Sequence, residues 1–147
     1  MKFTATAALT LLAGTAIAAP FHSMAASGQR AFIGVKRVCD TADTVCTWTF
    51  GISDGTATTP CQFQTKKVGN SCTSTPASQA PNLGSMCGVL QVTSGWSGQF
   101  GAGQGFTTLS IVNPGLKTIS YPSYTDKELA GGKVVSPDRS YPIQQLS

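Results

Sequence analysis

Short runs in which hydrophobic and polar residues alternate recur along the chain from residue 31 onward, and this pattern predicts β-strands. In Val45–Ile52, every second residue from Cys46 onward is apolar and lies on one face of the strand. The runs are rich in Val, Ile, Thr, Phe and Tyr, which suit a half-buried pleated surface. Seven strands are predicted: Ala31–Val38, Val45–Ile52, Cys61–Val68, Gly88–Thr93, Phe106–Val112, Leu116–Tyr121 and Lys133–Ser136.

Turn-forming residues separate these runs. Ser53-Asp54-Gly55 and Asn113-Pro114-Gly115 are typical of turns, and Thr73–Ser85, rich in Ser, Pro, Ala and Asn, predicts a surface loop. Thr125-Asp126-Lys127-Glu128 fits a capping box, which predicts one short helical turn. We therefore expect an all-β fold, a small single-domain antiparallel β-barrel or β-sandwich of about seven strands that is stabilised by disulfides.

The N-terminal segment, residues 1–18, has the pattern of a secretory signal peptide. Lys2 precedes the apolar run Ala5–Ala13, and Ala16 and Ala18 place small residues at the cleavage site. The apolar run is too short to span a bilayer, which requires about 20 residues. We therefore expect a secreted, extracellular protein without membrane insertion, with a flexible N-terminal arm over residues 19–29 and a β-domain over residues 30–147.

Composition and charge exclude several kinds of partner. The chain has 147 residues, 10 of them basic and 6 acidic, with a formal net charge of +4 and only 11% charged residues. Proteins that bind nucleic acids cluster their basic residues on one face, whereas those of this chain are scattered. The two basic pairs, Lys36-Arg37 and Lys66-Lys67, are interpreted as solvated strand faces. We expect a monomer that does not bind nucleic acid.

Five cysteines follow the signal peptide, and an oxidising compartment favours disulfides between four of them. Ile33, Val35 and Cys39 are expected to share a face of the first strand. Cys46 begins the alternating face of the next strand, after a short connection. The two thiols therefore approach each other across a hairpin, and this favours a Cys39–Cys46 bridge.

The second bridge is less well determined by the sequence. Cys61–Cys87 is favoured and leaves Cys72 as a free thiol in a polar loop. Cys72–Cys87 is nearly as good, because it would close the base of a hairpin. A zinc site is not expected, since the chain has no C-x-x-C pair and a single histidine, His22.

Candidate catalytic groups are few. His22 falls in the predicted arm, where no third group orients its imidazole. Asp126 and Glu128 lie two residues apart on one helical turn and point in different directions, unlike the facing carboxylates of a glycosidase. Gly101–Gly105 leads into a strand pattern without a following Lys, which predicts a tight β-connection and no nucleotide site. We expect neither catalysis nor a cofactor.

The most unusual stretch places Trp96 between two glycines. Glycines leave a neighbouring aromatic ring open to a ligand, so Trp96, Gln99 and Phe100 are candidate binding residues. Alternatively, Trp96 belongs to the core and its glycines allow strands to approach closely. The same choice between core and binding surface applies to two tyrosines further along the chain, Tyr121 and Tyr124.

Several motifs together resemble one group of secreted fungal proteins. They are Trp48–Ile52, Ser94–Gly101, Gly105–Ser110, Tyr121–Asp126 and Val135–Tyr141. Over most of residues 31–146, the chain resembles the hypersensitive-response-inducing elicitors of filamentous fungi. The resemblance implies an extracellular β-rich protein that plant cells perceive, with defence or local cell death as the response. It implies no catalytic residues.

Three functions are compatible with these observations. The first is a non-enzymatic effector or elicitor that a plant host receptor recognises at its surface. The second is a module that binds cell-wall polysaccharide, with Trp96 and Tyr124 as stacking platforms. The third is a small secreted hydrolase that uses carboxylates the sequence does not identify. A coplanar row of exposed aromatics favours the second and two facing acids favour the third, whereas a polar surface with neither favours the first.

Overall fold

Four strands form the first sheet of the computed structural model, which describes residues 28–70 and 72–147. In spatial order they are β3 (Thr58–Lys66), β2 (Val45–Ser53), β1 (Gln29–Cys39) and β9 (Arg139–Pro142). All neighbouring strands run antiparallel. Every second residue of β2 from Cys46 to Ile52 is buried, as the alternation predicted.

The remaining strands form a second antiparallel sheet. Their order is β10 (Gln144–Gln145), β7 (Thr118–Ser120), β6 (Phe106–Asn113), β5 (Leu90–Ser97) and β4 (Asn82–Cys87), and β8 (Ser123–Thr125) also pairs with β6. One helical turn, α1 (Asp126–Leu129), follows β8, and 3₁₀ turns lie at Ala77–Gln79 and Ala130–Gly132. The predicted capping box is present, because Thr125 Oγ1 accepts from the Glu128 amide and the Glu128 carboxylate accepts from the Thr125 amide.

The two sheets pack face to face as a sandwich and are not closed into a barrel. Apolar residues from both inner faces form one core, in keeping with the aligned packing of two antiparallel sheets. Its largest fully buried side chains are Trp48, Tyr124, Phe32, Leu109 and Ile111. The predicted all-β fold is therefore confirmed, and of its two predicted architectures the sandwich is the observed one.

The sheets are joined along both of their edges. On one side, the disulfide Cys61–Cys87 connects β3 to β4. On the other side, Ile143 alone separates β9 of the first sheet from β10 of the second. The disulfide Cys39–Cys46 connects β1 to β2, and Cys72 is free and exposed. These are the pairings that the sequence favoured.

A β-bulge in β1 changes which residues face the core. The pairing with β2 shifts by one residue between Ile33 and Lys36, and Gly34 within the bulge has a φ of +60°. Phe32 is fully buried in place of Ile33, and Arg37 points inward with only 7% of its surface exposed. The expectation that Ile33 shares a face with Val35 is wrong, and the interpretation of the Lys36-Arg37 pair as a solvated face is wrong for Arg37.

The predicted strand Lys133–Ser136 is absent, although this segment lies beside the first sheet. The Val135 amide donates one hydrogen bond, of 2.7 Å, to the Val35 carbonyl, and the Val135 side chain is buried. Regular pairing begins only at Arg139. Val135 is thus buried at one point of the core, whereas Val134 is exposed, and the segment does not form a strand.

The predicted loop Thr73–Ser85 contains the beginning of β4. Asn82 is buried there, and its polar groups are satisfied. Its side-chain amide donates to the Val92 carbonyl at 2.9 Å, and its backbone amide donates to Ser94 Oγ at 3.1 Å. A polar side chain thus takes a core-facing position at a sheet edge. The alternation pattern did not predict this strand, because asparagine is typical of loops and not of core-facing strand positions.

The start of the chain lies mostly outside the described residues. The predicted signal peptide, residues 1–18, and His22 belong to that part. Gln29, the last residue of the predicted arm, already pairs with Pro142 in the first sheet. Within residues 28–70 and 72–147, no helix has the length and the apolar character that crossing a membrane requires.

Candidate functional site

Trp96 links a strand of the second sheet to the helical turn. It lies on β5, half-buried, and its indole Nε1 donates a hydrogen bond of 2.8 Å to Asp126 Oδ2. Asp126 is the first residue of α1, and its backbone amide donates to the Gly105 carbonyl at 2.9 Å. Trp96 is therefore neither a core residue nor an open platform, but the support of the loop that follows β5.

The glycines around Trp96 are explained by close approach of the backbone to the indole ring. A Cβ atom on Gly98 would lie 2.5 Å from the ring, and one on Gly105 would lie 2.7 Å from it and also collide with the Asp126 carboxylate. Both distances are well inside van der Waals contact, so only glycine fits at either position. The run Gly101–Gly105 is, as predicted, a β-connection, since it leads directly into β6.

Residues 98–105 form a loop that presents an aromatic side chain to solvent. Two tight turns close the loop, from the Gly101 amide to the Gly98 carbonyl at 3.0 Å and from the Gln104 amide to the Gly101 carbonyl at 3.1 Å. Phe100 is 69% exposed, and its ring stacks on that of Phe106 with 5.7 Å between centroids. We call this loop, with Gln99, Phe100 and Gln104, the aromatic loop.

The aromatic loop borders a cavity of about 450 Å³. Its lining residues are Phe100, Gln104, Phe106, Ser123, Tyr124, Thr125, Glu128 and Arg139. Two other lining residues, Glu128 and Arg139, form an ion pair with each other. The hydrogen bond from Arg139 holds the pKa of Glu128 below its usual range, and the same bond raises the pKa of Arg139. The cavity thus has an aromatic part and a charged part.

The five predicted binding residues do not form one surface. Gln99 and Phe100 are exposed on the aromatic loop, with Trp96 supporting it. Tyr121 is 48% exposed but does not line the cavity. Tyr124 is only 2% exposed, and burial raises the pKa of its hydroxyl. Tyr124 therefore belongs to the core and cannot be a stacking platform.

Sequence reasoning missed a second polar cluster, which is centred on Arg37. Arg37 Nη1 donates to Asp126 Oδ1 at 3.2 Å and to the Ser78 carbonyl at 2.9 Å, and the guanidinium lies 5.7 Å from the centre of the Trp48 ring. The cluster lines a cleft of about 460 Å³. Strand alternation could have indicated it, because Arg37 has the same parity as Val35 and Cys39 and so lies on their face of β1.

The cleft beside Arg37 does not provide a metal site. Cys39, Asp43 and Cys46 lie together there, but the two sulfurs are joined in a disulfide and offer no thiolate. The Asp43 carboxylate accepts hydrogen bonds from the amide and the hydroxyl of Ser78. Its oxygens therefore position the 3₁₀ turn at Ala77–Gln79.

Comparison with known proteins decides the family. A family profile described as Effector TSP1 matches residues 31–146. A curated relative from the fungus Hypocrea virens, named "Effector TSP1", is 43% identical over an alignment of 147 residues that covers 96% of each chain. The chain belongs to the Effector TSP1 family. The matched residues include all of the aromatic loop and the lining of both cavities described above.

Membership of the Effector TSP1 family confirms the resemblance to a fungal effector family that the motifs indicated. The family assignment supports an effector of fungal type. It names no ligand, receptor or reaction for this chain.

Proposed function

We propose that this protein is a secreted, non-enzymatic effector whose folded surface a plant host component recognises, with defence or hypersensitive cell death as the response. The observation that carries the proposal is the family assignment over residues 31–146. The aromatic loop is the part of the surface best suited to recognition, because an exposed aromatic ring on a well-supported loop buries much apolar area on contact.

The geometry of the loop supports this assignment. Phe100 is 69% exposed yet stacked on Phe106, so it loses little side-chain freedom when a partner covers it. Trp96 and its flanking glycines hold the base of the loop. A partner therefore meets a preorganised surface, which lowers the entropic cost of binding.

The state of the acidic residues supports a role without catalysis. The chain has six of them, and each accepts a hydrogen bond from a protein N–H group. In inverting glycosidases the two carboxylates flank an open cleft, and one of them activates a water molecule. Here the carboxylates cap turns, start the helix or pair with arginine, so we assign them to the fold.

A second candidate function is binding of cell-wall polysaccharide, with Phe100 as the aromatic contact in place of Trp96 and Tyr124. Trp96 and Tyr124 do not offer open faces, but Phe100 does, and Gln104 lines the same cavity. An aromatic face with a neighbouring amide is typical of sugar contacts. A row of exposed aromatic rings would favour polysaccharide binding, whereas this cavity offers one exposed ring. We therefore place polysaccharide binding second.

Leaf infiltration with matched variants tests both candidates. We expect Phe100→Ala to reduce the cell-death response to wild-type protein several-fold, since it removes the exposed ring. The control is Leu83→Ala, which truncates a side chain on β4 that is 88% exposed and outside the cavity lining. Circular dichroism verifies that both variants are folded before infiltration.

The outcomes separate the candidates. A response lost in Phe100→Ala but kept in Leu83→Ala supports recognition at the aromatic loop. If insoluble chitin, cellulose or β-glucan pulls down the wild type and Leu83→Ala but not Phe100→Ala, the polysaccharide candidate is supported instead. If folded wild-type protein elicits no response, the elicitor proposal is rejected, and if Phe100→Ala is fully active, the recognised surface lies elsewhere.

A further inference from the structure

Arg30 is a buried arginine that forms no ion pair with a carboxylate among the described residues. The chain has three arginines, and the other two pair with carboxylates, Arg37 with Asp126 and Arg139 with Glu128. Arg30 is 4% exposed, and burial lowers the pKa of its guanidinium. The charge of Asp54, on the wall of the same cavity, opposes this lowering without pairing directly with Arg30. A buried charge that lacks a direct ion pair is costly, so its retention calls for a reason.

The hydrogen bonds of Arg30 satisfy only part of its guanidinium. Nη1 donates to the Ile111 carbonyl at 3.0 Å and to Ser120 Oγ at 2.9 Å, and these bonds tie β1 of the first sheet to the second sheet. A guanidinium has five N–H groups, and the three on Nε and Nη2 have no acceptor within the residues described. Structural bridging therefore accounts for two N–H groups of five.

Arg30 lies in the wall of a cavity of about 170 Å³ that combines this charge with apolar surface. Ile52, Leu90 and Ile143 line the cavity, and Val89 and Leu116 border it with 69% and 68% of their surfaces exposed. The hydroxyl of a further lining residue, Thr118, is buried and has no hydrogen-bond partner in the described part of the chain. Ligand sites typically have this composition, with mostly apolar walls and a few polar groups that fix orientation.

One acidic residue, Asp54, also lines the cavity and limits what can enter. Its carboxylate accepts hydrogen bonds from the Thr56 amide at 3.1 Å and from the Ala57 amide at 3.3 Å. The bond from the Thr56 amide is the main reason that the pKa of Asp54 lies below its usual range, so the group stays charged. A dianion would meet this charge, whereas a monoanion can place its single charge on Arg30.

We propose that this cavity binds a small monocarboxylate with an aromatic or branched apolar body, its carboxylate on Arg30 and its body against Leu90 and Ile52. The planar guanidinium fork matches a carboxylate in a bidentate arrangement. The cavity is smaller than the roughly 300 Å³ at which sites for drug-sized ligands begin, so the ligand has the size of one ring. The site is separate from the aromatic loop, and this inference does not depend on the proposed function.

Benzoate is the probe, and benzamide is its neutral counterpart of equal shape. In a ¹H–¹⁵N titration of the mature protein, we expect benzoate to shift the amide signals of residues around the cavity with a Kd of about 0.1–1 mM. Benzamide should bind at least tenfold more weakly, because it lacks the charge that Arg30 recognises. Absence of shifts around the cavity, or equal binding of the two probes, would overturn the proposal.

Rim variants test the location without disturbing the buried arginine. Leu116→Trp places a larger side chain at the cavity mouth and should weaken benzoate binding at least tenfold, while Leu83→Trp, at an exposed leucine elsewhere, should leave it unchanged. Asp54→Asn removes the like charge and should tighten binding several-fold. Retained binding in Leu116→Trp, or weaker binding in a folded Asp54→Asn protein, would show that the anion binds at another place.

Discussion

The indole of Trp96 and the carboxylate of Asp126 are joined by a hydrogen bond of 2.8 Å across 30 residues of sequence. The second oxygen of the same carboxylate pairs with Arg37, from the opposite sheet. One carboxylate therefore holds together a strand of each sheet and the start of the helical turn.

Asp126→Ala should destabilise the protein by about 2–4 kcal/mol. The substitution leaves the Arg37 guanidinium buried without a counter-charge, and the cost is below that of a fully enclosed pair because the Asp126 side chain is 32% exposed. Urea denaturation followed by circular dichroism measures the change. Asp138→Ala is the control, since it removes an equal charge that, within residues 28–70 and 72–147, accepts one exposed hydrogen bond, from the Gly34 amide, and it should cost less than about 1 kcal/mol. Equal costs for the two variants would show that the Arg37 pair contributes little.

Gly105→Ala should destabilise the protein by about 1–3 kcal/mol, because the new methyl group collides with the Trp96 ring and the Asp126 carboxylate. The matched control is Gly95→Ala, on the same strand as Trp96, where a Cβ meets no atom within 4 Å. Thermal unfolding and the tryptophan fluorescence maximum are the measurements. If Gly105→Ala melts at the wild-type temperature with unchanged fluorescence, the ring is not held as described.

Stability should fall in acid in part because of Glu128. Its pKa in the folded protein lies below the ordinary value, mainly through the hydrogen bond from Arg139, so the folded state favours the ionised form. That contribution is fully present above the unfolded pKa of about 4.3 and is lost as the pH falls through the folded pKa. The pair is one-third exposed, so we expect about 0.5–1 kcal/mol from it.

Glu128→Gln isolates this contribution, because glutamine preserves the size of the side chain and can still cap the helix. Denaturation midpoints at neutral pH and near pH 3 should differ less in the variant than in the wild type. If the wild type and the variant lose the same stability in acid, the acid sensitivity comes from other carboxylates.

Cys72 should be the one cysteine that reacts with iodoacetamide in the native, unreduced protein. The other four are joined in Cys39–Cys46 and Cys61–Cys87, and Cys72 is exposed. Intact mass spectrometry should show one added group before reduction and five after it. Modification at any other cysteine before reduction would contradict the pairing, and Cys72→Ser should remove the first addition.

Local patterns in the sequence carried much of the fold. The alternation in β2, the capping box at Thr125 and Glu128, and the disulfide across the first hairpin were all predicted, because each depends on residues close together in sequence. The pattern failed at Gly34, where the bulge reversed the alternation of β1, so that Phe32 and not Ile33 is buried on the same side as Val35.

The candidate sites depended on contacts between distant segments and were less predictable. The sequence singled out Phe100, which is exposed, and Tyr124, which is buried, on the same reasoning about aromatic residues. The buried guanidinium of Arg30 has no sequence signature at all, because its burial arises only when the two sheets meet. Side-chain direction at such positions is set by tertiary packing rather than by neighbours in the chain.

The two edges of the sandwich are closed by different chemistry, covalent between β3 and β4 and by uninterrupted backbone between β9 and β10. A reductant acts on only one of them. Reduction therefore leaves the short C-terminal segment around Ile143 as the link at one edge and removes the covalent link at the edge of Cys61 and Cys87, so we expect the sheets to separate first at that edge. Loss of the last few residues would have the opposite effect and leave the covalent edge as the remaining link.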